Sequence, residues 1–139
     1  MTDAIINKTR LNDITNFGLR ASVGVIFLAH GLGKLNPQFI GFLTGQLGFA
    51  PEMQIPIALA EIIPGILLIT GILTRVSASM LCVIMLGAIF YVKKATNLIG
   101  QGGYEFDLIL LAASLVIITA GPGKISLAQI IKKLPSYLH

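Results

Sequence analysis

From Met53 to Lys94 the chain reads MQIPIALAEIIPGILLIT, then GILT, then RVSASMLCVIMLGAIFYVKK. Two apolar runs, Met53 to Leu73 and Arg75 to Lys94, meet at this short glycine-led joint. A helix needs about 20 mostly apolar residues to cross a bilayer, and each run has that length. Gly71 to Thr74 makes a tight hairpin between the two runs. The stretch predicts two antiparallel membrane-spanning helices. One carboxylate, Glu61, lies inside the first of them, three residues before Pro64.

The same pattern recurs on both sides. Thr15 to Lys34 and Tyr104 to Ala120 are apolar runs of similar build. Asn36-Pro37 ends the first run, because proline cannot continue a helix. Pro51-Glu52 suits the first turn of the next. Gln38 to Phe49 is apolar but broken by glycine, and reads as a loop or short helix at the membrane surface. Asn97 to Gly103 is a glycine-rich turn, and Gly121-Pro122-Gly123 stops the last run. Ser126 and Gln129 have capping-box spacing. Leu127, Ile130, Ile131 and Leu134 then share a face beside Lys132 and Lys133, which predicts an amphipathic tail in the interface. The expected fold is all-α: a four-helix transmembrane bundle with a C-terminal interfacial amphipathic helix. Its spans are 15–34, 53–73, 75–94 and 104–120, and residues 1–139 form a single domain.

Composition agrees. Apolar residues make up 55% of the 139 residues and charged residues 12%, and mean hydropathy is +0.86. Soluble domains carry about 25% charged residues. A chain this short has too much surface to cover with half that charge. Disordered segments are poor in apolar residues, so disorder is excluded as well. The net charge of +4 comes from basic residues at the ends of apolar runs, which membrane topology explains better than nucleic-acid binding. Lys8, Arg10, Arg75, Lys124, Lys132 and Lys133 fall on the side of both termini, and Lys34, Lys93 and Lys94 on the other. The positive-inside rule then puts both termini in the cytoplasm of a multi-pass plasma-membrane protein. Tyr91 and Tyr104 suit outer interfacial anchors. Met1 to Asn16 lacks the basic-then-apolar build of a cleavable signal peptide, so the first span is expected to be kept. The two hairpins do not align as an inverted repeat.

Ionisable groups inside a bilayer are expensive, and each points to function. Here they are Arg20, His30, Glu61, Glu105 and Asp107. At 100° per residue, Arg20, Gly24, Phe27, Gly31 and Lys34 form one stripe of the first span, with His30 at its edge. The small residues on it let another helix approach. Glu61 lies roughly 12 Å from the outer end of its span at 1.5 Å per residue. It is expected to be protonated, or paired with Arg20 about 9 Å deeper. Arg20, Glu61, His30 and Glu105 then make a ladder from mid-membrane outward. Two readings stand side by side. The Arg20–Glu61 pair joins helices, or the ladder binds a polar head group and moves protons. Pro64 frees the carbonyl of Ala60 and predicts a kink at the same depth.

His30 reads as a packed histidine or as a proton-handling one near a redox head group. Its only companion is His139, so a bis-histidine haem is not expected. Glu105 and Asp107 face opposite ways on a helix and make no carboxylate pair; Asp107 suits the interface. Cys82, the single cysteine, reads as a small apolar filler, and Met80 and Met85 as core or lipid-facing. A disulfide framework and a cysteine metal site are excluded. No phosphate loop, Ser/His/Asp set or histidine cluster is present, so no haem or metal is expected. Any electron carrier must be borrowed, as a quinone or on a partner subunit.

The pieces Leu19-Arg20, Phe27-Leu28-Ala29-His30-Gly31 with Lys34, Ala60-Glu61, Gly71-Ile72-Leu73-Thr74-Arg75, Gly103-Tyr104-Glu105 and Gly121-Pro122-Gly123-Lys124-Ile125-Ser126 occur in this order. In order and spacing the chain resembles the DoxX family of small four-span membrane proteins, over roughly Phe17 to Ser126. The resemblance implies a membrane component of an oxidoreductase system. One such relative is the membrane part of a thiosulfate:quinone oxidoreductase, and others are tied to membrane-associated thiol and oxidative-stress complexes. It carries Arg20, His30, Glu61 and Glu105 over as functional positions, all four facing a bound quinone-like head group.

In the first functional expectation, Glu61 and His30 transfer protons to the quinone and Arg20 stabilises developing negative charge. In the second, the chain is a non-catalytic accessory subunit. It would bind a larger enzyme, or a second copy of itself, through small-residue faces such as Gly18/Ser22 and Ala112/Ala113. A small transporter is the third.

Overall fold

A computed structural model describes residues 10–131, Pro135 and residues 138–139. Lys8, Lys132, Lys133 and Leu134, named in the charge and tail arguments, lie outside the described residues. Among the described residues all regular structure is helical. The α-helices are α1 (Arg10–Gly33), α2 (Pro37–Gly45), α3 (Gln54–Thr70), α4 (Thr74–Gly87) and α5 (Glu105–Ala120). A 3-10 turn, Pro51–Met53, leads into α3, and a π-helical turn, Ala88–Val92, prolongs α4.

Two continuous stretches, Pro51–Thr70 and Thr74–Val92, are long and apolar enough to cross a membrane. They correspond to the two runs of the Met53–Lys94 stretch. Between them Gly71 has φ 79° and donates its N–H to the carbonyl of Leu67. Ile72 donates to the same carbonyl, so a left-handed closure ends α3 at the expected tight turn. The 16 residues of α5 reach roughly 24 Å, less than the bilayer core of about 30 Å.

Helices α1 and α3 are antiparallel and form the most extensive contact, α4 and α5 the next. The α3–α4 hairpin and a smaller α1–α5 contact join the two pairs. The predicted stripe on α1 is the face that meets this interior: Arg20, Val23, Gly24, Phe27 and Gly31 are its buried residues. A Cβ on Gly24 would lie 2.6 Å from the Gly65 carbonyl, and one on Gly65 would lie 2.8 Å from the Gly24 carbonyl. Only bare backbones fit at that crossing. The core around it contains Val23, Phe27, Leu68, Ala78, Leu81, Met85, Leu110 and Ile117. Cys82 is buried on α4. Val25, Leu32, Ile63, Val83, Ile109 and Val116 point outward and are exposed. An apolar exterior of this extent is what lipid contact requires and water does not favour.

One open alternative is decided here, and one expectation changes. Gln38 to Phe49 is mostly ordered as α2, whose start is set by Asn36: its Oδ1 accepts the N–H of Phe39 at 2.8 Å. The capping box at Ser126 and Gln129 does not open an α-helix. Both side chains donate to the Gly123 carbonyl instead, each at 2.9 Å. The result is a 3-10 turn, Leu127–Gln129. Pro64 is buried inside α3.

Candidate functional site

Arg20 is 1% exposed, and among the described residues no carboxylate forms an ion pair with it. Its Nε donates to the Leu68 carbonyl at 2.6 Å and its Nη2 to the Ile125 carbonyl at 2.6 Å. Its Nη1 donates to the Pro122 carbonyl, and the Phe17 ring lies 5.4 Å away. Leu68 is in the last turn of α3, whose carbonyls have no helical partner. A fixed positive charge there also complements the negative end of the helix dipole. Arg20 is thus a fork that ties α1 to the end of α3 and to the loop after α5. The sequence pieces around Gly71 and Gly121–Ser126 converge on it: a Cβ on Gly71 would lie 3.2 Å from Arg20 Cζ and 2.3 Å from Ser126 Cβ.

Glu61 lies toward the other end and is 4% exposed. The expected Arg20–Glu61 pair is not formed. Lys34 Nζ bonds both Glu61 oxygens, at 2.6 and 2.5 Å. Register explains this. Gly24 faces Gly65 and Gly31 faces Ala58, so Arg20 stands level with Ile69, about 12 Å along the axis from Glu61. Lys34, where α1 ends, reaches inward instead. The lysine is held in turn: Gln54 Nε2 donates to the Lys34 carbonyl at 2.8 Å and to that of Asn36 at 2.9 Å, and Phe39 lies 5.9 Å from Nζ.

His30 is exposed, on the edge of the stripe, with its ring stacked on Phe106 at 5.9 Å. Glu105 is exposed too and borders a shallow apolar groove with Leu98, Ile99, Leu108, Ile109 and Ala112. Of the expected ladder Arg20, Glu61, His30 and Glu105, the Arg20–Glu61 step is not formed, and His30 and Glu105 are both exposed. The second buried carboxylate is Asp107, 8% exposed, in an ion pair with Lys93. Lys93 also donates to the Gly103 carbonyl at 2.9 Å. Asp107 is a structural anchor and not a free interfacial group.

Beyond Lys93 lies the feature that sequence reading missed. The π-helical turn presents Phe90 and Tyr91 toward α2. With Phe42, Gln46, Leu47, Val92 and Lys94 they line an open cleft of about 530 Å³. Tyr91 donates to the Leu47 carbonyl at 3.2 Å and stacks on Phe49 at 5.7 Å. Lys94 and Ala95, next in the chain, have φ of 52° and 49°. Left-handed backbone at such residues is uncommon, and π-turns and strain cluster at functional sites. The only sequence signal was Tyr91 beside Lys93 and Lys94, read as an anchor. Among the described residues no group of three or more His, Cys, Asp or Glu is placed to hold a metal ion.

A family model described as DoxX matches residues 16–94. A Bacillus subtilis (strain 168) protein named "Putative oxidoreductase CatD" is 34% identical over 105 residues, 74% of this chain and 76% of that one. A Mycobacterium tuberculosis protein named "Uncharacterized membrane protein Rv3486" is 30% identical over 135 residues, 83% of this chain and 80% of that one. An uncharacterized Haemophilus influenzae protein is 37% identical over 76 residues, 54% and 50% of the two chains. No solved structure matches.

Proposed function

We propose, from the premise that this chain belongs to the DoxX family, that it is a membrane-embedded, redox-associated subunit supporting a partner oxidoreductase. The likeness to a protein named as an oxidoreductase over three quarters of both chains carries the redox part. The supporting role draws on how the charges are used. Arg20, Glu61 and Asp107 are buried and spent on contacts within the chain. They hold helices together and leave the chemistry to a borrowed carrier. In this reading all four long helices lie in the plasma membrane as a bundle, both termini face the cytoplasm, and a partner subunit or second copy meets the apolar exterior. Gly18 and Ser22 are exposed on α1 and Ala112 on α5, whereas Ala113 packs against the core, so the α1 face is the one open to such contact.

A quinone is the small-molecule carrier this reading implies. Of Arg20, His30, Glu61 and Glu105, the arginine and Glu61 are already bonded within the chain and are not joined to each other. No step is routed through them. A second reading places the head group in the cleft beside α2, where Phe42, Phe90 and Tyr91 supply ring surface and Gln46 and Lys94 supply donors. A quinone there would accept and pass on electrons delivered by the partner.

The test is native mass spectrometry of the tagged protein, drawn from its own membrane in mild detergent. A stoichiometric, cofactor-bearing protein partner is expected. A lone chain or homo-oligomer without redox partner or carrier would overturn the supporting role.

A further inference from the structure

The turn before α5 is tightly folded and carries two aliphatic side chains on its outside. Gly103 N–H donates to the Gly100 carbonyl at 2.9 Å, Tyr104 N–H to that of Asn97 at 3.1 Å, and Glu105 N–H to that of Leu98 at 3.0 Å. A Cβ on Gly103 would lie 2.7 Å from the Leu98 carbonyl, so the turn closes only on bare backbone. Lys93 bonds both the Gly103 carbonyl and Asp107, which fixes the turn to the helix. Leu98 and Ile99 are held outward on it, 45% and 72% exposed.

These two residues stand beside one face of α5. Glu105, Leu108, Ile109 and Ala112 follow one another at helical spacing, and all four are exposed. Together the six line a groove of about 320 Å³, apolar except for the Glu105 carboxylate. Among the described residues that carboxylate forms no ion pair, whereas the buried carboxylates of Glu61 and Asp107 each hold a lysine. From Glu105 to Ala112 the helix rises about 10 Å, so the groove has a cross-section of about 30 Å². A helix with its side chains is about 10 Å wide and needs about 80 Å². A partner helix would rest on the rim, whereas a single hydrocarbon chain would enter. Bulk lipid already suits the apolar walls. What it does not supply is a partner for the carboxylate, and a cation with N–H donors does.

We propose that this groove binds one phospholipid with a primary ammonium head group, a phosphatidylethanolamine. Its acyl chain lies along Leu108, Ile109 and Ala112, with Leu98 and Ile99 as the opposite wall. Its ammonium donates to Glu105, and such charge-assisted bonds are the strong ones. A choline head group has the charge but no N–H to donate. Phosphatidylglycerol brings a negative charge to a carboxylate. The site needs neither a partner subunit nor a redox carrier.

The test is a lipid titration of the purified, delipidated protein in detergent, read by native mass spectrometry. One lipid is added at a time: phosphatidylethanolamine, its mono- and dimethylated forms, phosphatidylcholine or phosphatidylglycerol, all with the same acyl chains. One retained phosphatidylethanolamine per chain is expected. Affinity should fall stepwise on methylation, to about tenfold weaker for phosphatidylcholine. Glu105→Gln should bring phosphatidylethanolamine down to the phosphatidylcholine level. Ala112→Phe, which fills the groove, should weaken every lipid alike. Both positions are exposed, and unfolding in lipid-free detergent checks that both variants stay folded. The methylation series uses the unaltered protein, so it decides the matter even where a variant fails to fold. Equal affinity across that series, or tighter binding of phosphatidylglycerol, overturns the proposal. So does unchanged selectivity in a folded Glu105→Gln protein.

Discussion

Lys34 and Glu61 are bonded through both carboxylate oxygens, at 2.6 and 2.5 Å, across the α1–α3 seam. The carboxylate is nearly buried and the lysine side chain about one-fifth exposed. Removing one partner leaves a charge stranded in a low-dielectric place, which costs about 3–5 kcal/mol. Lys34→Met and Glu61→Gln should each destabilise the protein, the first more, because it strands a carboxylate. The double variant Lys34→Met/Glu61→Met should recover most of the loss. Equilibrium unfolding in mixed detergent reads all four corners of the cycle. Additive losses would mean that the two side chains are not coupled.

Arg20 makes a different prediction, because its partners are three separate carbonyls. A planar fork can reach Leu68, Pro122 and Ile125 at once, and an ammonium is a single point. Arg20→Lys is therefore expected to fail almost as badly as Arg20→Met, with a loss of about 2–4 kcal/mol. Limited proteolysis should show the loop after α5 opening first in both. A Lys variant with wild-type stability would mean that charge alone is needed there.

The Gly24–Gly65 crossing predicts a steep size dependence. Gly24→Ala puts a methyl 2.6 Å from the Gly65 carbonyl, and the backbone has no side chain to move aside. A loss of about 1–3 kcal/mol is expected, as for overpacked cores. Gly18→Ala, which meets nothing within 4 Å, should be neutral or slightly stabilising, since alanine is the better helix former.

These three cases show what the sequence could and could not reveal. Hairpin, proline and glycine signals act locally, so the α3–α4 joint and the stop at Gly121 were legible to within a few residues. The buried stripe of α1 was legible too, because it needs only the helical period. Which charge meets Glu61 was not, because pairing depends on the register of two helices. Arg20 and Lys34 share one stripe, and only the register shows that Glu61 lies about 12 Å along the axis from the first and about 9 Å from the second. The decisive facts were the glycine contacts that set the register and the carbonyls that already held Arg20. The cleft beside α2 was hidden for another reason: a π-turn changes which way Phe90 and Tyr91 face, and no periodicity rule announces it.

The cleft separates the two homes considered for a quinone head group. Short-tailed decylubiquinone, titrated into quinone-free nanodiscs, is expected to bind saturably if the cleft is the site. Tyr91→Ala removes ring surface and the bond to Leu47, and Lys94→Ala removes the cleft's charge. Each should weaken binding by about tenfold, the size of one lost stacking contact or one charge-assisted hydrogen bond. His30→Ala, whose ring lies on Phe106 and not in the cleft, should leave affinity unchanged. The opposite pattern, with loss in His30→Ala and none in Tyr91→Ala, would return the head group to the face originally expected for it. Binding that neither substitution changes would place the quinone at a third location or in the lipid itself. In that event the supporting role would rest on the protein partner alone.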